Sequence, residues 1–232
     1  MVFIGIRIKY YEKKMVAFWY TDYIRHAWIE KNREYRDKQQ GNGTLCTTYR
    51  RGLIMAHIKE TIVKENFLFP SFFKRLTHII ESQFLQWHFE KDTVYQANDS
   101  HMFFTTSLFD KRQKQLDNPY KSLFDPILYF LAEEVEFDEV LKMKMNLYVN
   151  HTVQHVHKKH IDVSQGNDGK TPLPGVVTAV FNFTDCDGFT QVEDIKYPSK
   201  ANSIIIFDGG KYHCGATPTN AKKRVVLNIN VK

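Results

Sequence analysis

Beyond about residue 140 the chain consists of short apolar runs, each cut off by a turn, with no helical period between them. The runs fall at 141–149, 176–184, 189–193, 203–207 and 224–231, and Gly, Pro, Asn or Asp residues separate them. Consecutive short strands with no intervening helices cannot form a βαβ sheet and must bury their inner faces against each other. The upstream part is mixed. Pro70 suits the first position of a helix over 70–82, which would place Phe72, Phe73, Leu76, Ile79 and Ile80 on one side. Two strands are expected at 84–89 and 102–108, joined by the turn-rich 96–100. Asn118-Pro119 opens a second helix to about residue 135, with Leu123, Phe124, Ile127, Leu128, Phe130 and Leu131 facing inward. The expected fold is α+β, a rolled double sheet preceded by supporting helices.

Composition limits the surroundings of such a domain. At 232 residues with 43% hydrophobic content, the chain can bury a core of ordinary size. No apolar run approaches the roughly 20 residues that cross a bilayer, so no membrane partner is expected. The apolar start at residues 1–6 is too short for a signal-peptide core and meets Arg7 and Lys9 at once. Cys46, Cys186 and Cys214 form no CxxC pair, which suits reduced thiols in a cytoplasmic setting, the host cytoplasm if the chain is viral.

The formal charge of +6 is unevenly placed. Residues 1–54 hold 11 of the 32 Lys/Arg and five of the 26 Asp/Glu, which leaves 21 of each sign in residues 55–232. The body of the protein is neutral and makes no global case for nucleic-acid binding. Residues 1–54 are also rich in aromatics, with an untidy apolar stripe over 15–38, whereas regular patterning begins near Met55. The expectation is a core domain over 55–232 and a basic, aromatic-rich extension over 1–54. The competing reading is an N-terminal helix packed on the domain.

Four histidines fall close together: His151, His155, His157 and His160. His155-Val156-His157 resembles the HxH of a cupin, but no glutamate follows between Lys158 and Gln165. His160-Ile161-Asp162 has a better context, after one strand and before the polar loop 164–170. In extended backbone, residues two apart point the same way, so His160 and Asp162 can reach one ion together. His213 is the only histidine after His160, and it follows the strand 203–207 and the turn Asp208-Gly209-Gly210. Two histidines and one carboxylate on one face leave the opposite positions of a non-haem Fe(II) open. Arg224 opens the last apolar strand. If it points inward it requires an anion, because a buried unpaired guanidinium is costly.

Residues of roughly 57–232 resemble the Fe(II)/2-oxoglutarate-dependent dioxygenases, in particular the prolyl-4-hydroxylase-like branch and its small phage versions. The matching pieces, in order, are Met145-Asn146-Leu147-Tyr148, His160-Ile161-Asp162, Asp187-Gly188-Phe189-Thr190, Ile206-Phe207-Asp208-Gly209 with His213, and Lys223-Arg224-Val225-Val226-Leu227-Asn228-Ile229-Asn230. The resemblance implies a double-stranded β-helix, the cupin-like jelly roll, with His160, Asp162 and His213 as iron ligands and Arg224 pairing with the distal carboxylate of 2-oxoglutarate. It further implies O2 as oxidant, ascorbate as an auxiliary reductant, and Tyr148 as a hydrogen-bond donor to the keto acid. Relatives often carry a tyrosine where this chain has Val180-Phe181-Asn182-Phe183, so Asn182, Tyr148 and Thr190 are the candidates for that polar contact. The nucleic-acid demethylase branch carries a second arginine six residues after the first, and Asn230 stands there instead.

The activity so implied is hydroxylation of a C–H bond, in a prolyl or other residue of a peptide or in a small metabolite. Loop 164–170 would serve as a lid or as a plain connection. Two other classes stand beside it: a non-catalytic jelly-roll binding module, and a cupin-type metal isomerase or lyase. The sequence leaves the oligomeric state open.

Overall fold

The computed structural model describes residues 58–82, 85–91, 102–113, 118–166 and 170–232. The chain divides into two units, Met1–Leu53 and Ile54–Lys232, and every described residue belongs to the second. The N-terminal extension, the stripe over 15–38 and the turn at 96–100 lie outside the described residues.

Among the described residues, ten strands form two antiparallel sheets. The major sheet runs β1-β8-β5-β10-β4-β3-β2, and the minor sheet runs β7-β6-β9. The strands are β1 (Ile62–Glu65), β2 (His88–Glu90), β3 (Phe103–Asp110), β4 (Val140–Val149), β5 (Val177–Asn182), β6 (Cys186–Val192), β7 (Ile195–Ser199), β8 (Ser203–Asp208), β9 (His213–Gly215) and β10 (Lys223–Val231). The C-terminal strand lies at the centre of the major sheet, between β5 and β4. Every residue of β5 is buried, as expected of a strand covered on both faces. This is a double-stranded β-helix, the jelly roll expected from the sequence.

Helix α1 (Pro70–Glu81) begins with Pro70 in the first turn, where its missing N–H costs nothing. It buries Phe72, Leu76 and Ile80, spaced four apart, and closes on Ser82, whose hydroxyl and backbone N–H both donate to the carbonyl of Ile79. The second expected helix is two: α2 (Lys121–Phe124) and α3 (Pro126–Ala132). Pro126 cannot donate a backbone hydrogen bond, so the helix is interrupted there and restarts with the proline at its first turn. Aromatic rings fill the space between helices and sheet. Phe73 stacks on Phe183, and Phe181 meets Phe67, Phe73 and Phe183 with centroids 4.7–6.1 Å apart.

That packing fixes which face of the central strands looks inward. Met143 and Met145 of β4 are fully buried on the helix side, while the residues between them turn into the roll. Arg224 lies opposite Tyr148, Val226 opposite Asn146, Asn228 opposite Lys144 and Asn230 opposite Lys142. These eight side chains line one wall of an interior cavity.

Candidate active site

After β4 the chain crosses to the minor sheet and pairs weakly with β9. Val156 bridges Ala216, and His160 bridges His213. The backbone N–H of His160 donates to the carbonyl of His213 at 2.9 Å, and that of His213 donates back at 3.0 Å. The two imidazoles therefore project together, with ring centroids 4.7 Å apart. Asp162, two residues on, points to the same side. Its Oδ1 lies 3.5 Å from His160 Nε2 and its Oδ2 3.6 Å from His213 Nε2. One donor atom from each residue falls within 4.8 Å of the other two.

The two Asp162 spacings are long for hydrogen bonds and suit donors gathered round one ion. The ring tautomers agree. His160 Nδ1 faces the carbonyl of Lys158 at 3.1 Å, and His213 Nδ1 faces that of Lys211 at 3.2 Å. A carbonyl only accepts, so Nδ1 carries a hydrogen, and Nε2 is the atom left to ligate an ion when the ring is neutral. His213 Nε2 is buried and has no hydrogen-bond partner. Two ring nitrogens facing one buried carboxylate call for a cation between them, a proton or a metal ion, and two histidines with one carboxylate fit iron.

The three groups are also coupled electrostatically. Burial alone would raise the Asp162 carboxyl, but the charges of His213 and His160 hold it well below the usual carboxylate range. Burial opposes protonation of His213, yet Asp162 outweighs it and the imidazole is raised. Asn230 on β10 donates its amide to Asp162 Oδ2 at 3.1 Å and to Thr178 Oγ1 at 3.0 Å, which orients the carboxylate from behind.

The cavity beside the triad measures about 320 Å³. At its far end Arg224 is 1% exposed. Its Nη2 donates to Thr190 Oγ1 at 2.8 Å, its Nη1 to the carbonyl of Ala216 at 3.4 Å, and its Nε has no partner. No carboxylate among the described residues pairs with it. Burial draws the guanidinium pKa down, and the groups that offset this are Tyr148, Cys186 and Cys214. Tyr148 lies under the guanidinium, its ring centroid 5.7 Å from Arg224 Cζ. Burial pushes the tyrosine hydroxyl up to about 12, so it stays protonated and can donate.

Two glycines make room for this arginine. A Cβ at Gly188 would meet Arg224 Cδ at 2.8 Å and the Ala216 carbonyl at 2.9 Å. One at Gly215 would stand 3.2 Å from Arg224 Nη1 and 3.6 Å from the Tyr148 hydroxyl. The run Asp187-Gly188-Phe189-Thr190 thus acquires a physical account. Asp187 accepts from the backbone N–H groups of Thr219 and Asn220 and from the Thr219 hydroxyl, pinning the turn before β10. Gly188 yields space to the arginine stem, and Thr190 accepts from its tip.

Asn182 is a correction. It lies on the same side of β5 as Val180, which lines the cavity, but Asn182 is not in the cavity wall. Its amide donates to Ser203 Oγ at 3.2 Å and its carbonyl accepts from Ser199 Oγ at 3.2 Å, so it serves the joint between β5, β7 and β8. Tyr148 and Thr190 remain as the polar groups near Arg224. The other histidines stand apart from the triad: His151 and His155 pack edge to face at 5.0 Å, and His157 lies 5.0 Å from the Tyr148 ring. Asn146, Lys142 and Lys144 also line the cavity. Their period-two spacing with Tyr148 on one strand was the signal available in the sequence.

A 2OG-Fe(II) oxygenase family oxidoreductase from Burkholderia pseudomallei superposes with a TM-score of 0.53 at 10% identity, over 73% of this chain and 84% of that one. The chain shares the double-stranded β-helix fold of that oxygenase. A Pseudomonas putida prolyl-4-hydroxylase superposes with a TM-score of 0.49 at 11% identity, over 74% and 91% of the two chains. A viral collagen prolyl hydroxylase from Paramecium Bursaria Chlorella virus-1 gives 0.46 at 12%, over 82% and 98%. No protein-family model and no curated protein sequence matches the chain.

Proposed function

We propose that the protein is a 2-oxoglutarate-dependent oxygenase that hydroxylates a C–H bond, with Fe(II) held by His160, Asp162 and His213. The observation that carries this reading is Arg224: a buried guanidinium without a carboxylate partner among the described residues, opening on the same cavity as a three-donor metal site. An iron ion there supplies the oxidative chemistry, in which reduction of O2 is coupled to decarboxylation of 2-oxoglutarate to succinate and CO2 and to insertion of one oxygen atom into the substrate.

The chain's own residues bind and aim. Arg224 receives the distal carboxylate of the keto acid in charge-assisted hydrogen bonds, and Thr190 holds one guanidinium nitrogen in place. Tyr148, protonated throughout the physiological range, donates to the same carboxylate. Gly215 leaves the space between guanidinium and phenol clear for it. Asn230 holds Asp162, and the carbonyls of Lys158 and Lys211 hold the two imidazoles in the ligating tautomer. The substrate is a prolyl or other residue of a peptide, with a small metabolite as the alternative, and ascorbate serves to keep the iron reduced. Cys186 and Cys214 are free thiols, in keeping with work in a reducing, cytoplasmic compartment.

Succinate formation from 2-oxoglutarate with Fe(II) and ascorbate is the direct test. Turnover is expected for the full chain and is expected to vanish in His160→Ala and to collapse in Arg224→Ala. Intact turnover in both variants would overturn the reading. Mass spectrometry of candidate peptides, searching for the mass of one added oxygen, then identifies the substrate.

A further inference from the structure

The wall of the cavity carries two cations that the keto acid does not use. Lys142 and Lys144 lie two residues apart on β4, and both line the cavity with Asn146 and Tyr148. Tyr148 is opposite Arg224, whereas Lys142 is opposite Asn230, the residue bonded to Asp162. Lys144 is four residues from Tyr148, about 13 Å along an extended strand. The lysines therefore belong to the iron-site end of the wall, and Arg224 to the other.

Neither lysine forms an ion pair among the described residues. The ammonium of Lys144 lies over the Phe103 ring, 5.7 Å from its centroid. The acidic groups whose fields reach Lys144 are Glu90, Asp162 and Asp110. Each has other work: Glu90 accepts from Thr105, Asp110 from the backbone of Arg112, and Asp162 belongs to the triad. Burial and the neighbouring Lys142 both lower the pKa of Lys144, and the three carboxylates offset this only in part. Between Lys144 and Tyr148, Asn146 is 6% exposed and its Oδ1 has no hydrogen-bond partner. Two cations without an ion pair among the described residues and a buried acceptor without a donor thus share one wall of the cavity.

We propose that the oxidised substrate carries an anionic group, a carboxylate or phosphate, that seats on Lys142 and Lys144 with an N–H donor directed to Asn146. The proposal rests on the oxygenase reading for the position of the reacting C–H bond. A cavity of about 320 Å³ that also holds the keto acid admits one side chain or one small acid. An acidic residue of a peptide and a free amino-acid-like metabolite both satisfy the chemistry.

The test is a titration of the full chain loaded with Ni(II) and 2-oxoglutarate, followed by calorimetry. The probes are N-acetyl-aspartate against N-acetyl-asparagine, and O-phosphoserine against serine, with a blocked aspartyl dipeptide to separate peptide from free acid. At least one anionic probe is expected to bind at millimolar concentration while its neutral counterpart does not. Lys144→Met, which keeps the stem and removes the charge, is expected to weaken that binding by about tenfold or more, consistent with loss of a charge-assisted contact. Lys144→Arg is expected to retain it, and 2-oxoglutarate affinity is expected to be unchanged in both. Equal binding of a neutral probe, no binding of any anionic probe, or unchanged binding in Lys142→Met/Lys144→Met would overturn the proposal. Arg224→Met keeps the two readings apart: loss of 2-oxoglutarate affinity there supports the oxygenase reading whatever the probes do. Loss of probe affinity in Arg224→Met rather than in the lysine variants would show the probe in the keto-acid seat and count against the proposal.

Discussion

The amide of Asn230 donates to Oδ2 of Asp162 across 3.1 Å, from the strand whose opposite end carries Arg224. One strand thus steadies the carboxylate of the triad and, under the proposed function, supplies the cation for the keto acid. Outer partners of this kind are worth about tenfold to hundredfold in metal affinity. Asn230→Ala is expected to weaken Co(II) and Ni(II) binding by that order while the folded circular-dichroism spectrum is kept. Unchanged metal affinity would show that Asp162 is oriented without it.

Arg224→Met is expected to lower 2-oxoglutarate affinity by about tenfold to hundredfold, the loss of one or two charge-assisted hydrogen bonds. Metal affinity is expected to remain, because Arg224 touches none of the triad. Thr190→Val tests the same seat more gently. It leaves the guanidinium in place but strips the 2.8 Å contact from its Nη2, so a smaller rise in the Kd of the keto acid is expected.

Gly188→Ala introduces one methyl group where Arg224 Cδ and the Ala216 carbonyl already stand within 3 Å. The carbonyl is backbone and cannot swing away. A destabilisation of about 1–3 kcal/mol is expected from overpacking, read as a lower denaturant midpoint, together with weaker 2-oxoglutarate binding. Ala at the exposed Gly166, where nothing crowds the added carbon, does not test the same contact; its positive φ gives a separate source of strain.

In the metal-free protein Asp162 and His213 stabilise each other within a bounded pH window. The carboxyl is depressed, so its contribution holds above the ordinary carboxylate range and is lost as pH falls through the depressed value. The imidazole is raised, so its contribution is full below about 6.5 and is lost as pH rises through the raised value. The denaturant midpoint of the metal-free protein is expected to peak in weak acid, and Asp162→Asn to flatten that peak. Saturating Ni(II) is expected to reverse the upper limb, because a metal takes the neutral imidazole.

Legibility in the sequence followed how local the determining forces are. Helix α1 was readable because Pro70 and the apolar spacing of Phe72, Leu76 and Ile80 act within a few residues. The break at Pro126 was readable in principle, but the apolar pattern runs straight through it and hid the interruption. Strand β1 is mostly exposed, and β7 holds Pro198 at a sheet edge, so neither alternates in a way that announces a strand. The expected strand over 84–89 is described only as His88–Glu90. Within the site, His160, Asp162 and His213 come together because one antiparallel bridge joins distant segments, and the spacing of motifs anticipated it. Asn182 misled because its inward side was right and its depth along the strand was not. Its hydroxyl partners, Ser199 and Ser203, lie on strands whose register no local pattern specifies.

Among the described residues Arg224 meets neutral groups, Thr190, Tyr148 and the Ala216 carbonyl, at the far end of the cavity. Under the proposed function it reads a terminal carboxylate and nothing of the carbon chain behind it. Succinate presents the same terminus as the keto acid from which it is made. The seat is therefore governed by a ratio: occupancy follows the balance of keto acid to spent diacid in the surrounding fluid, and turnover slows as that balance tips even when keto acid is plentiful.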